Sequence, residues 1–431
     1  MAHLEYFRFI IHKIHKHKEF LFVSLLLIFY TFTRFYLFIE RFGFGWDQVD
    51  NAWAAISILI NHKFPLVGMV AKGNSGFHIG PFYYYFVALI YYLFNYNPIA
   101  SGVIAGLASV VTFFVIYFVT KKLFNYKVAL LAIIINTASI FIINGDRVQW
   151  PVDFIVPISF LIFYSLYKVL TNDLKQLPYL ALWIGLSLHV HFTSIFYGII
   201  VLFCLPFFPF KKLKVKNVVL SFALFFLIVS PMIFSEMISK HSESSNMTKY
   251  IQTYYHGLHF VRLLQLTHDA FIEFTLILRE SSVFLGPVLL VLFNVLYFFT
   301  KPTKNKFIFV YLEALWFMVP WVVFSTYKGE LTNYYFFMTR PVVLIVVSYL
   351  LYRIFIVHNI IPKLLVIGYL GYFIYININD FIHQDSTQYL VKLENVKNAI
   401  QRGEKIKLYE NIPESYFYYY YITIKKTNGT K

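Results

Sequence analysis

Three features of this 431-residue chain predict an all-α polytopic membrane protein. The first is composition: 59% of the residues are hydrophobic and 13% charged, and the mean hydropathy is +0.64. Soluble domains carry about 25% charged and about 45–50% apolar residues, so this much apolar surface needs lipid as its outer solvent. The second is that the apolar residues fall in runs of about 17–25, the length that crosses a bilayer as a helix. The third is the placement of the 37 Lys and Arg. They sit in short clusters between the apolar runs, the positive-inside pattern of membrane proteins. The net charge of +16 therefore reports orientation and contact with anionic lipid, and nucleic acid is not an expected partner.

Apolar runs lie near 20–39, 99–120, 128–144, 152–170, 178–193, 194–210, 217–235, 283–300, 307–326, 338–356 and 362–378. The pair over 178–210 is one long run divided near His191–Ser194. Residues 1–19 are basic, and the spacing of Leu4, Phe7, Ile11 and Ile14 predicts a short amphipathic helix on the cytoplasmic surface. No small-residue cleavage site follows the first run, so it reads as an uncleaved helix. The segment 81–96 is short and rich in tyrosine. If it fails to cross, almost every dense basic cluster falls on one side: Lys121, Lys122 and Lys127; Lys168 and Lys175; Lys211 to Lys216; Lys301 to Lys306. If it crosses, two of those clusters move outside. The expectation is thus about eleven spans, with 81–96 interfacial or re-entrant.

The predicted organisation is a transmembrane domain over 20–378 and a small extracytoplasmic tail over 379–431. The outer side carries the segments 40–98, 145–151, 236–282 and 327–337. The spacing of Phe260, Leu263, Leu264 and Phe271 predicts amphipathic helices lying on the membrane. In the tail, the tyrosine-rich run 416–421 is expected to pair as a strand. The single cysteine, Cys204, leaves no internal disulfide and argues against a cysteine-based zinc site.

Candidate chemistry gathers on that outer side. The first loop reads FGFGWDQVDNAWAA, with Asp47 and Asp50 three apart and so on one face of a helix. Either carboxylate could take a proton from a substrate hydroxyl; equally, acidic residues stabilise a helix N-terminus. Lys72 and His78, the latter in GFHIGPFYYY, could bind phosphate through charge-assisted hydrogen bonds, although interfacial anchoring explains most of the tyrosines. NGDRVQWPVD supplies Asp146, Arg147 and Asp153, where an arginine at the end of a span is commonly a snorkelling anchor. His189 and His191, in SLHVHFTS, lie two apart and face different directions, which argues against a shared metal. STYKGELTNYYF adds Lys328, Glu330 and Tyr334, with a solvated turn at Gly329 as the plain alternative. Glu313, inside a span, needs a partner or a polar cavity. No Gly-rich phosphate loop and no HExxH zinc motif is present.

The order of these segments (one long helix, an acidic outer loop, GPFYYY, the basic turn KKLFNYK, DRVQWP, then SLHVHFTS) resembles the GT-C superfamily of membrane glycosyltransferases. The resemblance covers roughly residues 20–340, is strongest over 40–200, and points to the branch of protein O-mannosyltransferases, aminoarabinose transferases and their bacterial relatives. It implies a GT-C fold with interfacial helices in the first outer loop. It also implies a polyprenyl-phosphate-linked sugar donor, an acceptor that is protein, lipid or glycan, and inverting transfer on the extracytoplasmic face of a prokaryotic cytoplasmic membrane. The family's catalytic acid falls on Asp47 or Asp50. Many relatives have Asp-Glu where this chain has Asp47-Gln48, so Asp50 is the available second carboxylate. Phosphate-side residues fall on Lys72, His78, Arg147, His191, Lys328 and Tyr334. Some members use a divalent metal; Asp47, Asp50 and Asp146 are compatible with one, but no cofactor is demanded. The competing readings are a transporter or lipid flippase, which would place ionisable groups near span centres, and a non-catalytic GT-C scaffold that binds lipid. The triplets at Asn246 and Asn428 fit a glycosylation sequon and keep an endoplasmic reticulum location open.

Overall fold

The computed structural model describes residues 2–73, 75–238, 242–299, 302–385 and 389–425, with backbone alone for 2–17 and 425. The Asn428 triplet and the side chains of the proposed amphipathic face at Leu4 to Ile14 lie outside that description. Among the described residues the chain is helical, joined by loops that contain only isolated β-bridges. In lipid this is expected, because a helix satisfies its backbone hydrogen bonds within one segment.

Each of the eleven apolar runs falls on a helix. Among the described residues six helices are long and apolar enough to cross a membrane: Ala100–Leu123, Pro151–Leu170, Val215–Ile238, Lys304–Ser325, Asn333–Phe355 and Ile360–Ile382. The remaining runs form shorter helices or share the first one. That first helix, Ala2–Phe35, is continuous over 34 residues, so the basic start of the chain extends the first span and does not form a separate helix. The reason is local, since no Gly or Pro interrupts residues 2–35. Phe82–Leu93 has 12 residues, about 18 Å of helix against a hydrocarbon core of about 30 Å. By length it falls short of crossing.

Two runs are broken. The run 128–144 divides at Ser139, whose extended backbone ends Tyr126–Ala138 and starts Ile140–Gly145. The N–H of Ile140 freed there bonds Oδ1 of Asn377 at 3.0 Å, so the helix Ile360–Ile382 closes the break. The run 178–210 divides at His191, which is extended and caps the turn Phe192–Ser194.

The 236–282 segment is a chain of short helices, Glu243–Tyr254, Phe260–Gln265, Thr267–Ala270 and Ile272–Leu278, with Phe260 and Leu264 exposed. The tail corrects the strand expectation: Tyr416 and its neighbours lie in the helix Pro413–Tyr419 and the wide turn after it. Among the described residues no partner strand stands beside them, and a helix satisfies the backbone without one. Tyr416 and Phe417 instead join a buried aromatic cluster with Phe42, Phe44 and Tyr91. Trp53 Nε1 donates to the Glu410 carbonyl at 3.0 Å, and the Tyr416 hydroxyl to the Tyr96 carbonyl at 2.8 Å. The tail thus braces the helix that begins at Trp46.

Candidate active site

Asp47 opens the helix Trp46–Leu59. Extended Gly45 precedes it, and Gln48 folds back so that its Oε1 accepts the Gly45 N–H at 2.8 Å. The other end of the same amide, Nε2, donates to the Gln149 carbonyl. Gln149 in turn accepts from Ser101 Oγ at 3.1 Å and donates to Tyr83 Oη at 2.6 Å. Gln48 therefore pins the first turn to the DRVQWP segment, a task that needs a donor and an acceptor on one side chain.

Asp47 lines a cavity of about 90 Å³ together with Trp150, His191 and Tyr334, over a floor that includes Ile79, Val152 and Val190. Asp50, one turn on, accepts the Tyr84 hydroxyl at 2.7 Å. Burial raises the pKa of both carboxyls above the ordinary range. The neighbouring Asp50 charge raises Asp47 further, whereas the Tyr84 hydrogen bond and the nearby His78 draw Asp50 back down.

Lys72 and His78 sit on a narrow antiparallel loop. Gly68 N bonds Ile79 O at 2.7 Å, Ile79 N bonds Met69 O at 3.0 Å, and Ala71 N bonds Phe77 O at 2.9 Å. Gly76 makes the tip with φ +71, a conformation glycine adopts freely. At the base, a Cβ on Gly80 would lie 2.0 Å from His189 Nδ1, so the GFHIG motif needs glycine there for close approach. From this loop Lys72 reaches across to donate to the Glu330 carbonyl. Its ammonium sits 4.7 Å from the ring centre of Tyr335 and 5.1 Å from that of Tyr327, a cation–π arrangement.

His191 packs 5.6 Å from the Tyr334 ring and 5.4 Å from the Tyr335 ring. Its Nδ1 accepts the Thr193 N–H at 3.3 Å and lies 2.9 Å from Thr193 Oγ1. In a neutral ring that leaves Nε2 to carry the proton and act as a donor. Lys72 and His191 thus share the Tyr335 ring, and Tyr334 stands beside both rings at the cavity.

The other sequence candidates go elsewhere. His78 turns Nδ1 to the Glu243 carboxylate at 3.0 Å, and Glu243 also accepts the His78 N–H at 2.8 Å. Arg147 spends its guanidinium on carbonyls at the end of the first helix, bonding Thr33 and Arg34 at 3.0 Å and Tyr36 at 2.8 Å. It closes a helix C-terminus, and the structure does not bring it to the cavity. Asp146 accepts from Arg34 at 2.7 Å and from Tyr30 at 2.9 Å. Lys328 is exposed, and its backbone N–H donates to the Tyr254 carbonyl at 2.8 Å. His189 stacks on Phe82 at 4.2 Å and faces the Ile228 carbonyl at 3.0 Å. Glu313 is buried beside Asn294, away from these groups. Among the described residues no three His, Cys, Asp or Glu gather in a way that would hold a metal ion.

Trp150 is the cavity residue that the search for ionisable groups passed over. Its ring lies 5.0 Å from Tyr334, and its indole N–H is buried at the cavity beside the Asp153 carboxyl. The signal was its place inside DRVQWP. Glu243 has no local signal in the sequence. A second, apolar groove of about 510 Å³ runs past Phe82, Phe86, Val115, Leu161 and Trp183 and shares Val190 with the polar cavity.

Residues 78–234 match the family described as dolichyl-phosphate-mannose-protein mannosyltransferase. No curated protein matches the chain by sequence. Among solved structures it is similar to ArnT from Cupriavidus metallidurans bound to undecaprenyl phosphate, at a TM-score of 0.53 and 12% identity over 92% of this chain and 74% of that one. The apo form of that ArnT gives 0.52, also at 12% identity, over 94% and 74%. The archaeal oligosaccharyltransferase AglB from Archaeoglobus fulgidus, in complex with an inhibitory peptide and a dolichol-phosphate, gives 0.55 at 11% identity over 92% of this chain and 60% of its own length. The chain is a multi-pass integral membrane protein with the GT-C fold of membrane glycosyltransferases.

Proposed function

We propose that the chain is an inverting glycosyltransferase that moves a sugar from a polyprenyl-phosphate-linked donor to an acceptor on the extracytoplasmic face. The observation that carries this reading is the gathering of Asp47, Trp150, His191 and Tyr334 around one cavity, with the Lys72 ammonium beside Tyr335. These groups divide into a base and a set of donors suited to a phosphate. ArnT bound to undecaprenyl phosphate and AglB with a dolichol-phosphate support the donor class.

Asp47 is the base. It lines the cavity, whereas Asp50 is occupied by the Tyr84 hydroxyl. Burial makes Asp47 a stronger base than an exposed aspartate. It takes the proton of the acceptor hydroxyl as that oxygen bonds the sugar C1. On the opposite side the bond from C1 to the phosphate oxygen breaks, and its electron pair leaves with the lipid phosphate. A single displacement of this kind inverts the anomeric centre. Lys72, the Nε2–H of His191, the Tyr334 hydroxyl and the Trp150 indole N–H stabilise the departing phosphate, where negative charge grows. The apolar groove beyond Val190 takes the prenyl chain.

The extracytoplasmic placement is supported by the lysines. Lys211 to Lys216 lie at and just before the start of the helix Val215–Ile238, while Glu236 at its other end bonds Ser242 and Ser244, beside the Glu243 that holds His78.

The test is turnover by the purified protein in liposomes, supplied with polyprenyl phosphates carrying radiolabelled sugars. Release of free lipid phosphate with label leaving the donor supports the transferase. Absence of turnover across mannosyl, glucosyl, galactosyl and aminoarabinosyl donors, by protein that still binds polyprenyl phosphate, contradicts it.

A further inference from the structure

Apart from the polar cavity and the apolar groove lies a third cleft. It has a volume of about 310 Å³ and opens between three helices, Leu177–Ser187, Ile195–Cys204 and Val215–Ile238. Its mouth is formed by Leu177, Leu205, Phe210 and Val218, and it deepens toward Ile184, Val201 and Phe225. From Leu177 to Ile184 is seven residues, about 10 Å along a helix. The helix Val215–Ile238 that walls one side is peripheral, with 17% of its apolar window buried. The cleft therefore faces lipid and is within reach of an acyl chain.

The second, independent observation is charge at the mouth. Phe210 is followed at once by Lys211 and Lys212, and Val218 is preceded by Lys214 and Lys216. All four lysines are exposed, as is Lys175. Asn217 Nδ2 donates to the Leu174 carbonyl at 3.0 Å, which ties the Lys175 turn to the others. Among the described residues none of the five makes an ion pair. Asp173 is the one carboxylate in these two turns. An apolar cleft with cations fixed at its rim matches a lipid whose chain is apolar and whose headgroup is anionic.

We infer that this cleft is a binding site for an anionic glycerophospholipid, with an acyl chain between Leu180, Ile184 and Phe225 and the headgroup phosphate on Lys211, Lys212, Lys214 and Lys216. The site stands apart from the glycosyl-transfer reading. It shares no lining residue with the polar cavity. Its occupant lies beside a helix whose main protein neighbour is the helix Leu177–Ser187.

Native mass spectrometry of the full-length protein, released from nanodiscs of phosphatidylglycerol and phosphatidylcholine in equal amounts, tests this directly. The wild type should retain phosphatidylglycerol over phosphatidylcholine by about tenfold or more, since a basic side chain at a lipid surface contributes about fivefold in binding. Replacing the four lysines by Gln should erase the preference, and replacing them by Arg should keep it. Ala181→Phe, which fills the cleft and leaves the charges, should reduce retained phosphatidylglycerol by a similar factor. Melting in phosphatidylcholine nanodiscs, unchanged in each variant, shows that all of them fold. Equal retention of both lipids by the wild type overturns the proposal. So does a preference that survives the Lys-to-Gln change, which would mean general attraction of anionic lipid around the whole protein, or retention unaffected by Ala181→Phe.

Discussion

Tyr84 donates its hydroxyl to Oδ2 of Asp50 at 2.7 Å, while Asp47, one turn earlier on the same helix, lines the cavity shared with His191 and Tyr334. Two carboxylates that look equivalent in the sequence WDQVD are thus separated by their partners. One is held by a neighbouring helix, and the other faces open space. Their charges still interact, because the Asp50 charge contributes to the raised pKa of Asp47.

That interaction has a sign that pH profiles can read. Asp47 works as a base only when ionised, so activity falls as pH drops through its folded pKa, which lies above the usual carboxylate value. Asp50→Asn removes the like charge and lowers the pKa of Asp47. The acid limb of kcat/KM should therefore move to lower pH in Asp50→Asn, with substantial activity kept at neutral pH. A limb that stays in place or moves upward would show that Asp50 does not act on the base in this way.

Gln48 explains why a carboxylate is absent beside Asp47 in this chain. Its amide accepts from Gly45 and donates to the Gln149 carbonyl, and it is buried. Gln48→Glu would remove the donor and set a carboxylate against a carbonyl oxygen, at a cost of about 1–3 kcal/mol. The melting temperature should fall and transfer with it. A variant as stable and as active as the wild type would mean that position 48 serves the chemistry and not the helix start.

Lys72 reaches the aromatic pair Tyr327 and Tyr335 from a loop held at its base by Gly80. Loss of one preorganised donor to a developing anion typically costs about 10²–10³ in rate. Lys72→Gln should lower kcat/KM for the lipid donor by about that factor, and Lys72→Arg should recover part of it. An unchanged donor kcat/KM would remove Lys72 from the phosphate site.

Arg147 is predicted to behave in the opposite manner. Its contacts with the carbonyls of Thr33, Arg34 and Tyr36 hold the end of the first helix. Arg147→Met should lower the melting temperature, leaving the donor KM of the surviving protein within about twofold, because uniform binding interactions are unaffected. A raised KM at unchanged stability would assign it to the phosphate instead.

These cases show what the sequence could convey. The helices were legible because hydropathy is a local property, and breaks at His191–Ser194 and the short Phe82–Leu93 follow from length and polarity. Asp47, His191 and Tyr334 were visible as polar groups at the ends of apolar runs. Arg147 was equally visible, yet a guanidinium suits helix carbonyls as well as phosphate, and the choice depends on the first helix, more than 100 residues away. Glu243 on His78, Tyr84 on Asp50 and the tail on Trp53 are likewise pairings of distant segments that no periodicity announces. The run 416–421 suggests a strand because tyrosines favour strands, but its rings find partners on every side in the cluster around Trp53 and Tyr91.

The central claim is that Asp47 is the base, and one comparison tests it most directly. Transfer of labelled sugar from a polyprenyl-phosphate donor should be measured for the wild type, Asp47→Asn and Asp50→Asn, with donor binding followed in parallel. Transfer lost by about 10³-fold or more in Asp47→Asn, with donor binding intact and Asp50→Asn still active, is the predicted result. Full transfer by Asp47→Asn, or its loss in Asp50→Asn alone, would contradict the account.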